Sequence, residues 1–285
     1  VQITLPNRFI NASNLRPSEV SQDPRRDSFP AEELIIDARG TEFIRPAAVL
    51  WCVIYPLLAR SQGRDCRFIV PENMGVCVYL QSLGLFDILG ASGVQIDVRG
   101  IGRRVDSQVV LPLTGFSSQN EVEKLANSAL DSLSRSHLGA SNMHPFVSEV
   151  FAELGLNAVE HALSPIGAFG FIQFYEFQNG RRFLCGVADG GIGIRQSLEK
   201  NSGLKARIFY DWDAIELATR ERISGTGSAT RGIGLFGVAE DMRSPKHQLI
   251  IHSGIGRMEI RENLGSNATR TGLFPGTLAY ASIPT

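Results

Sequence analysis

An excess of charge of either sign is what this chain most plainly lacks. Lys and Arg together number 28 against 29 Asp and Glu, a formal net charge of -1. That balance gives no bulk attraction to nucleic acid or to an anionic membrane surface. Long apolar runs are missing too, and none approaches the ~20 residues that a membrane helix needs. The opening Val1-Gln-Ile-Thr-Leu-Pro reads as a short strand, not as a charged-then-apolar secretion signal. The absent initiator Met suggests trimming or an artificial boundary. Cysteine is scarce: Cys52, Cys66, Cys77 and Cys185 are scattered, and no pair has the CxxC spacing of zinc or redox sites. Buried, reduced thiols in a cytoplasmic protein are the expectation. Histidines at metal-binding spacing are absent. His247 and His252 fall on opposite faces of a strand and read as structural. Internal repeats and long low-complexity segments are absent as well. What remains is an ample core: 43% of 285 residues are hydrophobic, enough for two ordinary domains or one large one.

The first third alternates strand and helix patterns. A polar loop around Pro24, Arg25 and Arg26 leads to a buried strand at Glu33-Leu-Ile-Ile-Asp-Ala. Pro46 to Leu58 has helical periodicity, with Pro46 suited to a first turn. Cys66-Arg-Phe-Ile-Val-Pro is a second strand, Glu72 to Leu83 a helix closed by Gly84, and Val94-Gln-Ile-Asp-Val a third strand. Such alternation predicts an α/β layer.

Val109 to Thr114 is a further strand. Ser118 and Glu121 form a capping box that opens a helix toward Leu133. A longer helix spans roughly 142 to 163 and ends at Ser164-Pro165. Phe169 to Phe177 and Arg182 to Val187 are strands joined by an Asn179-Gly180 hairpin turn. After a polar stretch, helices are expected over Asp211 to Ile223 and Leu235 to Met242. Three closing strands are expected at Leu249 to His252, Arg257 to Arg261 and Thr277 to Ile283. The boundary between the units falls between about 102 and 117, giving domains at 1-110 and 111-285.

The 142 to 163 helix carries the chemistry. Phe146, Val150 and Leu154, like Val147, Phe151 and Ala158, recur at helical spacing and mark its buried stripe. Glu153, Asn157 and His161 lie four apart on one flank. A carboxylate, an amide and an imidazole together are costly to desolvate, so they point to a polar cleft over the core. Three glycine-rich stretches follow: Asp189-Gly-Gly-Ile-Gly193 after a strand, Gly232-Ile-Gly-Leu235 before a helix, and Gly276-Thr277 in a terminal strand.

In this order the four pieces resemble the GHKL ATPase superfamily over about residues 118 to 285. The resemblance implies an α/β sandwich, a mixed sheet covered by helices, with Mg²⁺ and ATP as cofactors. Asp189 would accept from the adenine amino group, with Thr277 in support. Gly191 and Gly193 would let the backbone approach base and sugar. Gly232, Gly234 and Leu235 at a helix start, with Arg231, would meet the phosphates. Gly225 to Thr230 has the composition of a lid. Asn157 would be a neutral oxygen ligand to Mg²⁺. Glu153 would orient or deprotonate an attacking water or hydroxyl. Taken singly, each box has a plainer reading: an exposed helix carboxylate, a turn aspartate, a tight glycine turn, a strand threonine. Gly232 to Gly237 also spells GxGxxG, but no apolar strand precedes it, so a dinucleotide fold is not indicated.

Residues 30 to 100 resemble a STAS domain, the fold of anti-sigma-factor antagonists. The likeness rests on Ile35-Ile36-Asp37, the Phe43-Ile44 step into a helix, and the exit from Tyr79 to Phe86. Members that are phosphorylated carry an Asp-Ser pair where this chain has Arg45 and Pro46. The resemblance therefore implies a docking or regulatory unit without that phosphoacceptor. Glu153, Asn157, Ala158, His161 and Ala162 match the serine-kinase version of the first GHKL box. Gyrase-, chaperone- and mismatch-repair-type members carry a transducer domain after this fold, whereas the sequence ends at Thr285. Two functions stay open. One is a regulatory Mg-ATP switch whose lid controls binding to another protein. The other is a protein serine/threonine kinase or slow ATPase. The expected partner is a protein, with a homodimer admitted and neither nucleic acid nor membrane involved.

Overall fold

In the computed structural model, helix α1 (Pro46–Ser61) is apolar around its circumference, and every residue from Pro46 to Ala59 is buried. A helix of that composition needs partners on all sides. The structure describes residues 1-10, 14-15, 23-25, 33-97, 108-136, 138-177, 180-220, 234-262 and 268-285. On one side of α1 lies a parallel sheet of β1 (Gln2–Thr4), β3 (Leu34–Asp37), β5 (Cys66–Ile69) and β6 (Gln95–Ile96), in the order β1-β3-β5-β6. A short parallel pair, β2 (Arg8–Phe9) with β4 (Phe43–Ile44), leads into the helix. On the other side lies an antiparallel sheet ordered β10-β11-β9-β8-β7. Its strands are β7 (Val109–Phe116), β8 (Ala168–Phe177), β9 (Gly180–Asp189), β10 (Gln248–Arg261) and β11 (Thr269–Pro284).

A single apolar cluster joins the two sheets through α1. It contains Leu34, Ile36 and Phe68 from the parallel sheet and Phe171, Leu184 and Leu278 from the antiparallel one. The helices α2 (Met74–Leu83) and α3 (Leu85–Ala91) complete this layer. Tyr79 on α2 donates its hydroxyl to Gln173 Oε1 on β8 at 3.2 Å. The units expected at 1-110 and 111-285 thus share a core. The opposite face of the antiparallel sheet is covered by α4 (Gln119–Arg135), α5 (His144–His161), α8 (Asp211–Arg220) and α9 (Gly234–Asp241), around a second cluster containing Phe151, Leu154 and Ile251.

The architecture is mixed α/β with parallel and antiparallel sheets. The mixed sheet expected for the C-terminal half is corrected, because every described pairing there is antiparallel. Among the described residues parallel pairing is confined to the N-terminal half, where α1 joins β3 to β5 and α2 and α3 join β5 to β6. Two further expectations change. The closing strands are two, not three, because Leu249 to Arg261 lies in one strand. Gly254, at a φ of +58°, takes up register shifts in the ladder so that β10 bends without ending. The polar stretch after Gly193, to which the sequence assigns no element, is helical. It forms α6 (Gly193–Glu199) and α7 (Ser202–Lys205), packed with α8 around Leu198, Ile208, Ala214 and Leu217.

The local predictions at helix ends are met. Pro46 occupies the first turn of α1, Ser118 and Glu121 make both bonds of a capping box, and Gly84 closes α2 in the left-handed region. The four cysteines are free and buried. Burial pushes their thiols up, Cys66 to about 12, which keeps them protonated and unreactive. Among the described residues no single helix is long and apolar enough to cross a membrane.

Candidate functional site

One row of the antiparallel ladder crosses all five strands: Phe116, Ala168, Asp189, Thr277, Ser253. Residues in register point to the same face, here the one covered by α4 and α5. Asp189 ends β9 in the middle of this row. Its carboxylate accepts from the Gly191 amide at 2.8 Å and from the Thr277 amide at 3.3 Å. Burial nevertheless pushes its pKa up to about 7, against the pull of those two amides and of Arg25. A side chain only 3% exposed with that affinity for a proton is an expensive way to build a turn.

The glycines around Asp189 are there for space. Gly276 has a φ of +124°, and a Cβ on it would overlap the Asp189 carbonyl oxygen. Gly191 is pressed against the end of α5, where a Cβ would overlap the Ala162 carbonyl oxygen. The same carbonyl accepts from the Ile192 amide at 2.8 Å. Ser164 accepts from the Gly190 amide at 3.2 Å. The Asp-Gly-Gly loop is therefore fixed against the end of the helix that carries Glu153 and Asn157.

Those two residues sit on the half-buried flank of α5, as the spacing predicts. Asn157 donates its Nδ2 to the Glu153 carbonyl at 2.7 Å. That leaves Oδ1 facing the first residue of α9, where a Cβ on Gly234 would stand 3.2 Å from it. A neutral amide oxygen thus meets a helix N-terminus, and residues 77 positions apart in sequence become neighbours. Burial raises the pKa of Glu153, and the charges of Glu149 and Glu160 add to the effect. Burial lowers that of His161, with Lys200 adding to it and Glu160 opposing. Leu235 is partly buried against the C-terminal core. Gly193, at a φ of +77°, starts α6. Arg231, Gly232 and the Gly225 to Thr230 lid lie outside the described residues.

Ser253 was not legible as a site residue. Its Oγ accepts from the Ile194 amide at 2.9 Å and lies 3.1 Å from both the Gly276 carbonyl and Thr277 Oγ1. It ties α6 to the row that holds Asp189. The signal was present in the period-2 pattern, where a hydroxyl interrupts the inward-facing Leu249 and Ile251. Arg25 was also missed. It pairs with Asp23 at 2.7 Å and donates Nη1 to the Gly191 carbonyl, so the N-terminal segment grips the loop from outside.

For a magnesium nucleotide the donor set is consistent. No cluster of three His, Cys, Asp or Glu side chains able to cage a metal occurs among the described residues. Asn157 Oδ1 offers one neutral oxygen, which suits an ion held mainly by phosphates and waters. No family model matches the chain, and no match to it is found among curated proteins.

Proposed function

We propose that the C-terminal half binds Mg-ATP in the manner of a GHKL domain and that the N-terminal half is a STAS-like regulatory unit. The observation that carries this is the convergence at one sheet end. Asp189 is buried opposite Thr277, its loop is fixed to α5, and Asn157 on that helix faces the start of α9. Asp189 and Thr277 would hold the base. Asn157 would ligate the cation, and the first amides of α9 would meet phosphate oxygens together with Gly232 and Arg231. Bound nucleotide would supply phosphate charge beside that helix terminus. The chain would answer with the position of α9. A partner protein reading that surface would sense the nucleotide. Calorimetry with ATP and Mg²⁺ on the full chain tests binding, and absence of saturable heat at millimolar ATP removes the proposal. Greater hydrogen-exchange protection of α9 with a non-hydrolysable ATP analogue than with ADP supports the switch.

A second reading has its own support. Glu153 is a half-buried carboxylate with a raised pKa, one helical turn before Asn157. That placement suits a general base on a water or a serine hydroxyl, and so a kinase or slow ATPase. Phosphotransfer from labelled ATP to a co-purifying protein, lost in Glu153→Ala, would select this reading.

A further inference from the structure

On the sheet face turned away from Glu153 and Asn157, an open cleft lies between the start of α1 and strands β10 and β11. Its floor is apolar, with Trp51, Ile250, Phe274 and Leu278. Its rim is cationic. Arg45, Arg257 and Arg261 line it with a single carboxylate, Glu259, which pairs with Arg257 at 3.0 Å and also with Arg261. Gln248 occupies the same carboxylate at 2.6 Å. His252 adds no charge, since burial lowers its pKa to about 4 and its Nε2 bonds the Gly272 carbonyl at 2.8 Å.

Two residues that line this cleft carry buried side-chain donors that are unspent. Trp51 is 1% exposed, and its indole Nε1 has no hydrogen-bond partner among the described residues. Arg257 Nε is buried in the same condition. Leaving such donors unpaired forfeits the hydrogen bonds they make with water in the unfolded chain. The 16-residue helix α1 begins at this cleft, with Arg45 as its N-cap residue and no side-chain cap. Its dipole adds to the positive rim. Excess guanidinium charge, orphan N–H groups and a helix start above an apolar floor fit one kind of molecule.

We propose that this cleft binds a small organic oxyanion, a carboxylate or phosphate ester carrying an apolar body. The oxyanion would meet the Arg rim and the orphan N–H groups, and the apolar body would lie on Trp51 and Leu278. The site stands independently of the nucleotide reading, because none of its residues belongs to the four boxes. It also joins the two halves of the chain, since α1 comes from one and β10 and β11 from the other.

The test is calorimetry on the full chain with benzoate, phenyl phosphate and benzyl alcohol as probes, without ATP. Saturable binding of either anion, weakened roughly tenfold in Arg261→Gln by loss of a charge-assisted contact, supports the site. The tighter anion then names the group recognised. Trp51→Phe, which keeps the ring and removes the N–H, is expected to weaken binding as well. Arg261 is half-exposed and its substitution leaves the core untouched, so the test survives if the Trp51 variant fails to fold. No saturable heat from either anion overturns the proposal. So does equal binding by benzyl alcohol, or binding unchanged in Arg261→Gln.

Discussion

Asp189 and Thr277 stand opposite each other in the β9–β11 ladder, and the amide of Thr277 donates to the carboxylate of Asp189 at 3.3 Å. Residues 88 positions apart are thereby made one unit. With pKa about 7 against an ordinary 3.8, Asp189 in the folded chain keeps a proton that the unfolded chain releases. Its contribution to stability is full below about pH 4 and is lost as the pH rises through 7. Asp189→Asn cannot titrate yet still offers an oxygen to both amides. Urea unfolding should show the variant gaining on the wild type between pH 4 and pH 8, by on the order of 3 to 4 kcal/mol. Parallel curves at all pH values would contradict the raised pKa of the buried carboxyl.

The same variant should bind ATP more weakly, because with Oδ1 taken by the two amides its other atom is an NH2 donor where the adenine amino group needs an acceptor. GTP should compete poorly with ATP in the wild type. Competition calorimetry measures both, and equal affinity for the two nucleotides would refute base recognition by Asp189.

Glu153 and Asn157 should separate chemistry from binding. Glu153→Ala should keep ATP affinity and lose any hydrolysis or transfer. Asn157→Ala should lose Mg²⁺-dependent affinity. Equal loss of binding in both would make Glu153 a packing residue of α5.

Ser253→Ala removes the acceptor of the Ile194 amide and the hydroxyl beside Thr277 Oγ1. A part-buried donor left unpaired predicts a loss of about 1 kcal/mol in stability. ATP affinity should fall with it, since the row loses its tie to α6. Gly276→Ala should be worse, because the left-handed φ and the overlap with the Asp189 carbonyl both forbid a side chain. Thermal unfolding of the two variants gives the ranking.

The shared core predicts that the halves do not unfold separately. A fragment of residues 108-285 would expose Phe171, Leu184, Leu278 and Tyr280, which face α1 in the full chain. It should aggregate or bind a hydrophobic dye, whereas the full chain should melt in one transition. Two resolved transitions in calorimetry would show that α1 does not weld the sheets together.

Much of the local structure could be read from residue order alone. The capping box at Ser118, the proline start of α1, the glycine stop after Leu83 and the buried stripe of α5 each depend on neighbours within a turn or two, where propensity and periodicity act. The flank bearing Glu153 and Asn157 was legible for the same reason, because helical spacing alone places them together. The all-antiparallel pairing of the C-terminal sheet was not, nor was the continuity of β10 through its bulge at Gly254. Both follow from which strands meet in space. Ser253 and Arg25 entered the site only through contacts with Ile194, Gly276 and Gly191, distant in sequence. The buried charge of Asp189, the meeting of Asn157 with Gly234 and the sharing of α1 by two sheets were likewise decided by the tertiary structure. Desolvation, close approach and long-range register are properties of the packed chain, and spacing along a sequence does not encode them.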